Sequence, residues 1–259
     1  MLNIRKLFLP LLVVLNMSAM ENIQEFQLAT YDYKSAAVLP TFTRRNTKWA
    51  ILSREGYGTT SKHTYDSFSG GRDEDEIDVT FSAAREFHEE AILNLTLGWD
   101  LEKTEKFINP DKTENTWVII ARSRDRNIHN PKSRSIKNVT YLTNFTRYTT
   151  QLFNNFYDAR EKEIARYDEL GTKGHHRHTT EKDRIAKVRW SDLRDAIISQ
   201  EQSRDPVYVC AQVMNPTTRL FEKKTITLRP ILVITLRPFL LNEPYEEGET
   251  EKIRHYAQY

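Results

Sequence analysis

The sequence predicts a protein of the α/β (α+β) class, in which helices pack against a mixed sheet. Short apolar runs rich in β-branched and aromatic residues recur along the chain, which is typical of strands. Segments whose apolar residues have helical spacing lie between these runs. Strands and helices that alternate in this way are typical of a domain in which both pack around one sheet.

The predicted strands are bounded by turn-forming or polar residues. They are residues 35–40, 48–54, 115–122, 138–145, 185–190, 207–214 and 219–228. The first two are close in sequence, so we expect them to pair as antiparallel neighbours. Gly70 and Gly71 follow a short apolar segment and are interpreted as a turn.

The predicted helices are amphipathic segments of two to five turns. They are residues 80–91, 149–167 and 192–199. Asp78 is the expected N-cap of the first helix, and Ser191 is the expected N-cap of the last. The apolar run 229–241 contains Pro230 and Pro238, so its type stays open between strand and helix.

Composition bounds the fold without pointing to a partner. The chain has 259 residues, of which 39% are hydrophobic. This is enough for one domain that has a hydrophobic core and additional segments around it. Its 38 basic and 36 acidic residues give a net charge of +2, so a nucleic-acid partner is not indicated. Cys210 is the single cysteine, which excludes intrachain disulfides and multi-cysteine zinc sites, and its apolar surroundings predict a buried side chain.

The N-terminus has the pattern of a signal peptide. Two basic residues precede a nine-residue apolar stretch, and small residues follow near Ala19. We interpret residues 1–19 as a signal peptide, so that the protein is exported to the periplasm or secreted. The alternative is a cytoplasmic protein whose N-terminal helix is buried or associates with a membrane. No later segment is long and apolar enough for a stable membrane span. Three further divisions are expected: a main domain at 30–200, a packed C-terminal extension at 201–243 and a charged tail at 244–259.

The helix at 80–91 carries the strongest chemical signal. At 100° per residue, Arg85, Glu86, Glu89 and Glu90 fall within an arc of about 140°. Like charges three and four residues apart destabilise a bare helix, but a hard divalent cation bound by their oxygens would stabilise it. A solvated charged face is the competing interpretation on spacing alone.

The segment from Gly71 to Leu93 resembles the box motif of the Nudix hydrolase family. Gly71 matches the opening glycine, Arg85-Glu86-Phe87-His88-Glu89-Glu90 matches the central block, and Leu93 matches the final aliphatic residue. The strands before and after the segment also fit, so the resemblance extends over about 35–200. It implies a Nudix-type α/β/α sandwich.

Two positions depart from the family pattern. Ile77 stands where the family has its first glutamate, although Glu76 and Asp78 flank it. Ile92 stands where the family has a glycine that suits a left-handed helix end. Because a β-branched residue resists that conformation, we expect this helix to end differently.

The resemblance implies a hydrolase that cleaves a pyrophosphate bond in a nucleoside diphosphate derivative or a related small diphosphate, with Mg²⁺ or Mn²⁺ as cofactor. Glu86, Glu89 and Glu90 would hold the metal, Glu86 and Glu89 being the catalytic pair. Glu181, which follows a histidine-rich loop at 175–178, is the candidate general base. The residues assigned to substrate binding are Arg85, Gly71 and Arg72.

A Nudix-fold binding or regulatory domain without catalysis is the second hypothesis, favoured by Ile77 and Ile92. A nucleic-acid binder that uses the basic segment 122–137 is a weaker third. The histidines at 175–178 are better explained as a solvated loop than as a zinc site. Whether the chain is a monomer or a homodimer stays open.

Overall fold

The computed structural model describes residues 33–56, 63–76, 78–109, 116–123, 136–145, 149–170, 181–199, 205–242 and 253–258. The predicted signal peptide, Ile77, the centre of the basic segment and the histidine-rich loop lie outside these residues. The strands within them are β1 Ser35–Arg44, β2 Thr47–Glu55, β3 Tyr65–Asp66, β4 Phe68–Gly71, β5 Thr116–Ser123, β6 Ile136–Asn144, β7 Lys182–Arg189, β8 Tyr208–Met214, β9 Phe221–Thr227 and β10 Ile253–Gln258. The helices are α1 Val79–Glu90, α2 Leu93–Thr96, α3 Leu101–Ile108, α4 Thr149–Glu169, α5 Trp190–Ile198 and α6 Pro230–Asn242.

All of these strands join one mixed sheet. Its order is β10-β5-β6-β1-β2-β7-β8-β9, with β3 paired to β2 and β4 paired to β1. The β1–β6 and β10–β5 pairs are parallel and the others are antiparallel. The predicted antiparallel pairing of the first two strands is confirmed, with Thr41 opposite Ala50.

The sheet has a separate apolar core on each face. Alternation along β1 sends Val38 into the core that contains Phe87 of α1, while Leu39 faces the core beneath α5 and α6. Residues of α3 and α4 join the first core, and Leu193 and Leu236 belong to the second. The molecule is therefore an α/β/α sandwich on a mixed sheet, as the sequence predicts.

Aromatic packing fixes α1 against the sheet. The ring of Phe87 is fully buried, and its centroid lies 5.1 Å from that of Phe68 on β4 and 5.5 Å from that of Phe145. Both contacts are edge-to-face, the geometry that aromatic quadrupoles favour. This packing holds the polar face of α1 over the end of β4, and the candidate site lies there.

Four local predictions need correction or completion. Gly70 and Gly71 do not form a turn, because they pair with β1 as part of β4. Ser191 lies inside α5, whose N-cap is Arg189 with no side-chain hydrogen bond. Cys210 is exposed, because its position on β8 points away from the core that holds Val209 and Ala211. The ambiguous run is the helix α6, with Pro238 inside it.

The C-terminal part of the chain continues the same sheet. The strands β8 and β9 extend it beyond β7, and α6 packs in the core that also holds Leu39 of β1. Within the charged tail, Ile253–Gln258 pair in parallel with β5. In the part of the chain that the structure describes, no helix is long and apolar enough to cross a membrane.

Candidate functional site

The start of α1 is held by two neighbouring acidic residues. The Asp78 carboxylate accepts a hydrogen bond from the Thr80 amide at 2.7 Å, which confirms Asp78 as the N-cap. Glu76 is buried, and its carboxylate accepts hydrogen bonds from Ser82 Oγ and, at 2.6 Å, from Arg85 Nε. Burial raises the pKa of Glu76, but the hydrogen bonds from Arg85 and Ser82 outweigh it and lower that pKa to about 2.

The end of α1 contradicts the expectation from sequence. Ile92 adopts the left-handed conformation, with φ 53° and ψ 45°, where the family pattern has glycine. The helix therefore ends with a residue in the left-handed conformation, as it would with glycine at this position. The backbone strain that this conformation imposes on a β-branched residue is tolerated. The Ile92 side chain is buried, and we attribute the tolerance to that burial.

Arg85 is shared among several oxygen atoms. Its Nη1 lies 2.8 Å from Glu86 Oε1 and 3.4 Å from Glu89 Oε2, while its Nη2 donates to the Gly71 carbonyl oxygen at 3.1 Å. With Glu76 on Nε, the guanidinium joins the loop before α1 to the acidic face of the helix. Arg85 thus positions Glu86 and Glu89. Gly71 helps to hold the guanidinium in place, because its carbonyl oxygen accepts a hydrogen bond from Arg85.

The carboxylate of Glu86 packs directly on the backbone of β4. A Cβ atom added to Gly70 would lie 2.0 Å from Glu86 Cδ and 2.1 Å from each of its oxygens. A Cβ added to Gly71 would meet nothing within 4 Å. The close approach thus requires a glycine at 70, one residue before the position that matches the opening glycine of the motif.

Glu90 is predicted to hold a metal together with Glu86 and Glu89, but the structure pairs it with other groups. It is almost fully buried, accepts a hydrogen bond from the Ser69 amide at 2.7 Å, and lies 3.0 Å from the ammonium of Lys182. The Lys182 side chain has no exposed surface, and its Nζ also lies 3.2 Å from Glu55 Oε1. Burial lowers the pKa of Lys182, but the Glu90, Asp66 and Glu55 carboxylates outweigh it and hold that pKa above its usual range.

A second cation belongs to the same cluster. Arg229, just before α6, has its Nη1 3.2 Å from Glu55 Oε1 and 3.1 Å from Asp66 Oδ2. Two buried carboxylates, from β3 and α1, and the half-buried carboxylate of Glu55 on β2 therefore meet two cations, one from β7 and one just before α6. We call Lys182, Arg229, Glu55, Asp66 and Glu90 the ion cluster.

A cavity of about 440 Å³ opens beside this arrangement. One wall is the segment Ser69–Gly71, whose backbone also touches Glu90 and Glu86. Lys34 and Arg229 bring positive charge to it, and hydroxyl or amide groups come from β1, β6 and α6. The carboxylate of Asp66 and several apolar side chains also line the cavity, whereas Glu86 and Glu89 do not line it.

Burial raises the pKa of Glu86 to about 7, since the effect of Arg85 is opposed by the charges of Glu89 and Glu181. The candidate general base Glu181 is therefore close enough to Glu86 to act on it electrostatically. Glu181 is half-buried, and its carbonyl oxygen accepts a hydrogen bond from the Gly56 amide at 2.8 Å.

Arg72 joins the loop before α1 to the segment that precedes β1. Its Nε donates to the Glu76 carbonyl oxygen at 2.5 Å, and its guanidinium lies over the ring of Tyr33 at 5.2 Å. Its backbone amide donates to the Lys34 carbonyl oxygen. The side chain therefore supports the loop that carries Glu76, and its assignment to substrate binding stays a prediction.

The acidic face of α1 fits a hard divalent cation in part. Glu86 and Glu89 offer carboxylate oxygens, and the glycine at 70 leaves the space that the Glu86 carboxylate fills. Glu90 is already bonded to the Lys182 ammonium and the Ser69 amide. Among the described residues, no three histidine, cysteine or acidic side chains are grouped closely enough to hold a metal together. Glu86 and Glu89 are paired with Arg85, and the assignment of all three glutamates as metal ligands stays a prediction.

No protein-family model matches the chain, and no curated protein matches it significantly. Solved structures do match. An Ap4A hydrolase from C. elegans has a TM-score of 0.28 and 17% identity over 44% of this chain and 67% of its own. A Nudix hydrolase from M. smegmatis, RenU, has a TM-score of 0.30 and 13% identity over 44% and 62%. The NUDIX domain of Shewanella oneidensis NrtR, solved with ADP ribose, has a TM-score of 0.27 and 9% identity over 45% and 62%.

The matched part spans about two thirds or less of those proteins. Similarity at this level leaves the activity of this chain to be argued from the site itself. The structure brings Arg85, Glu86 and Glu89 together, with Glu181 nearby. It adds Gly70, Glu76 and the ion cluster. Of these, Glu76 had a sequence signal as a carboxylate next to Ile77, and Glu90 had one as a predicted metal ligand.

Proposed function

We propose that this chain hydrolyses a pyrophosphate bond in a nucleoside diphosphate derivative or a related small diphosphate, with Mg²⁺ or Mn²⁺ as cofactor. The observation that carries the proposal is the close packing of Glu86 on Gly70, with Glu86 and Glu89 sharing the guanidinium of Arg85. Positioned carboxylates beside a cavity with cationic groups are what metal-assisted phosphate chemistry requires.

Glu86 and Glu89 would hold the cation, which when bound would neutralise charge on phosphate oxygens and lower the pKa of water. Arg85 would keep both carboxylates in place, because its other nitrogens are fixed by Glu76 and by the Gly71 carbonyl oxygen. Glu76 thus acts on the site through Arg85 and is a positioning residue.

The substrate would lie in the cavity lined by Ser69–Gly71. Lys34 and Arg229 would contact its phosphate oxygens, since both line the cavity and carry positive charge. Lys34 has no ion-pair partner among the residues that the structure describes, so its charge is the more available of the two. Glu181 is proposed as the general base because its negative charge acts on Glu86 and helps to raise the pKa of that carboxyl.

Phosphate release from a panel of nucleoside diphosphate derivatives tests this function, with Mg²⁺ or Mn²⁺ and a coupled phosphatase. We expect metal-dependent turnover in the wild type and its loss in Glu89→Gln, with the fold retained because one like charge is removed from the helix. Glu102→Gln is the matched control, since Glu102 is an exposed glutamate on α3 that pairs with Lys106. Equal turnover in wild type and Glu89→Gln would contradict the proposal.

A diphosphate-binding domain without hydrolysis is the second candidate function. The pairing of Glu90 with Lys182 favours it, because this pair removes one expected ligand from the metal. This function predicts saturable binding of a panel member by calorimetry with no phosphate release in either metal. Turnover that depends on Glu89 would exclude it.

The cell compartment is also a proposal. We propose that residues 1–19 direct export, on the strength of their basic start and apolar stretch. Expression of the full chain followed by mass measurement of the exported protein tests this. A product that begins after Ala19 supports export, and a full-length product confined to the cytoplasm contradicts it.

A further inference from the structure

Lys182 is a buried cation that is surrounded by carboxylates. Its side chain has no exposed surface, and its ammonium lies 3.0 Å from Glu90 and 3.2 Å from Glu55. Asp66 adds a third negative charge close enough to act on it. A lysine is seldom buried in this way, because its ammonium loses hydration that only close negative groups replace.

The partners of Lys182 are donors of the kind that a hard divalent cation prefers. Glu55 ends β2, Asp66 ends β3 and Glu90 ends α1, so the fold brings three carboxylates from distant parts of the chain to one place. Carboxylate oxygens are the usual protein ligands of Mg²⁺ and Mn²⁺. The ammonium of Lys182 lies between Glu55 and Glu90 and supplies the positive charge that these two carboxylates need.

We propose that Lys182 replaces a divalent metal ion in this protein, as a fixed internal cation that orients Glu90 and confines external metal to the neighbouring Glu86–Glu89 pair. The role of that pair rests on the proposed function, whereas the position of Lys182 stands on its own contacts. Lys182 is a positioning residue, acting on the site through Glu90.

The energetic reason is one of charge compensation. Without the ammonium, Glu90 would keep the Ser69 amide as its only hydrogen-bond donor among the described partners, and Glu55 would keep Arg229. The buried carboxylate of Glu90 and the half-buried carboxylate of Glu55 would then lack part of their neutralisation, and a metal ion with a double charge would supply it. A neutral side chain of similar length at position 182 should therefore convert the ion cluster into a metal site.

Titration of the full-length protein with Mn²⁺, followed by the electron paramagnetic resonance of the free ion, measures this directly. We expect Lys182→Met to bind one Mn²⁺ per chain more than the wild type, and its melting temperature to rise with Mn²⁺ more steeply. Lys187→Met is the control, because Lys187 lies on the same strand and stacks over Phe221 instead of pairing with a carboxylate. A folded Lys182→Met with wild-type stoichiometry would overturn the proposal.

A double variant separates the metal effect from general loosening of the structure. Lys182→Met combined with Glu90→Gln removes both charges of the pair, and we expect its Mn²⁺ stoichiometry to return to the wild-type value. Retention of the extra ion would refute the role of Glu90. If Lys182→Met unfolds without metal, millimolar Mn²⁺ must restore its thermal transition, and failure to do so also counts against us.

These measurements do not depend on turnover. A wild type that releases no phosphate from any panel member would end the hydrolase proposal. The difference in stoichiometry between Lys182→Met and the double variant would still decide the role of Lys182.

Discussion

Gly70→Ala tests the close packing of Glu86 on β4. The added Cβ would lie 2.0 Å from Glu86 Cδ, whereas carbon atoms in contact are about 3.5 Å apart, so the carboxylate must retreat by about 1.5 Å. Since the carboxylate is the end of a flexible side chain, the backbone need not move. We expect the free energy of unfolding to change by less than about 1 kcal/mol.

The functional cost should be far larger than the structural one. A displacement of about 1 Å in a catalytic group can cost on the order of 100-fold in rate, and we expect a comparable loss in kcat/KM together with weaker Mn²⁺ binding. Gly71→Ala is the matched control, because its Cβ meets nothing within 4 Å. Steady-state kinetics and urea unfolding of both variants provide the comparison. Equal losses of activity in the two variants would refute the argument.

Two further predictions concern the two ends of α1. Glu76→Gln should destabilise the protein by about 2 kcal/mol at pH 7, because a buried carboxylate bonded to Arg85 loses its charge. The folded-state pKa of Glu76 is lowered to about 2, so this advantage of the wild type is present above pH 4.5 and should shrink as the pH falls toward 2; urea unfolding at several pH values would expose an error if the gap stays constant. At the other end, Ile92→Gly and Ile92→Ala lose the same buried side chain, but only alanine keeps the left-handed strain. We expect the glycine variant to be more stable than the alanine variant by about 1 kcal/mol in urea, and the reverse order would show that Ile92 is unstrained.

Local patterns were sufficient for most of the secondary structure. The helix predicted at 80–91 is found at Val79–Glu90 with Asp78 as its cap, and the strand predicted at 115–122 is Thr116–Ser123. Both signals act within a few residues, through capping hydrogen bonds and β-branched composition. Asp78 shows this most directly, because its bond to the Thr80 amide is set by adjacent residues alone.

Contacts between distant segments were beyond the reach of the sequence. Lys182 is separated from Glu90 by 92 positions and from Glu55 by 127, and its charge alone predicts an exposed side chain. Cys210 looked buried because its neighbours are apolar, but the face it occupies depends on the register of β8 against β9. Ile92 was expected to avoid the left-handed conformation, because β-branched residues are strained there. The residue adopts that conformation, and we attribute this to the burial of its side chain.

The balance of charge explains where an external cation belongs. Glu76, Glu86 and Glu89 share the guanidinium of Arg85, and burial raises the pKa of Glu86 to about 7. A divalent ion bound beside Glu86 would stabilise the charged form of its carboxylate. In the ion cluster the cations Lys182 and Arg229 already lie beside the carboxylates, so an external ion should settle at Glu86 and Glu89 and leave Glu90 to the lysine. The choice between hydrolysis and simple binding then depends on the two carboxylates that Arg85 positions. Hydrolysis requires that they hold the cation in contact with a phosphorylated substrate.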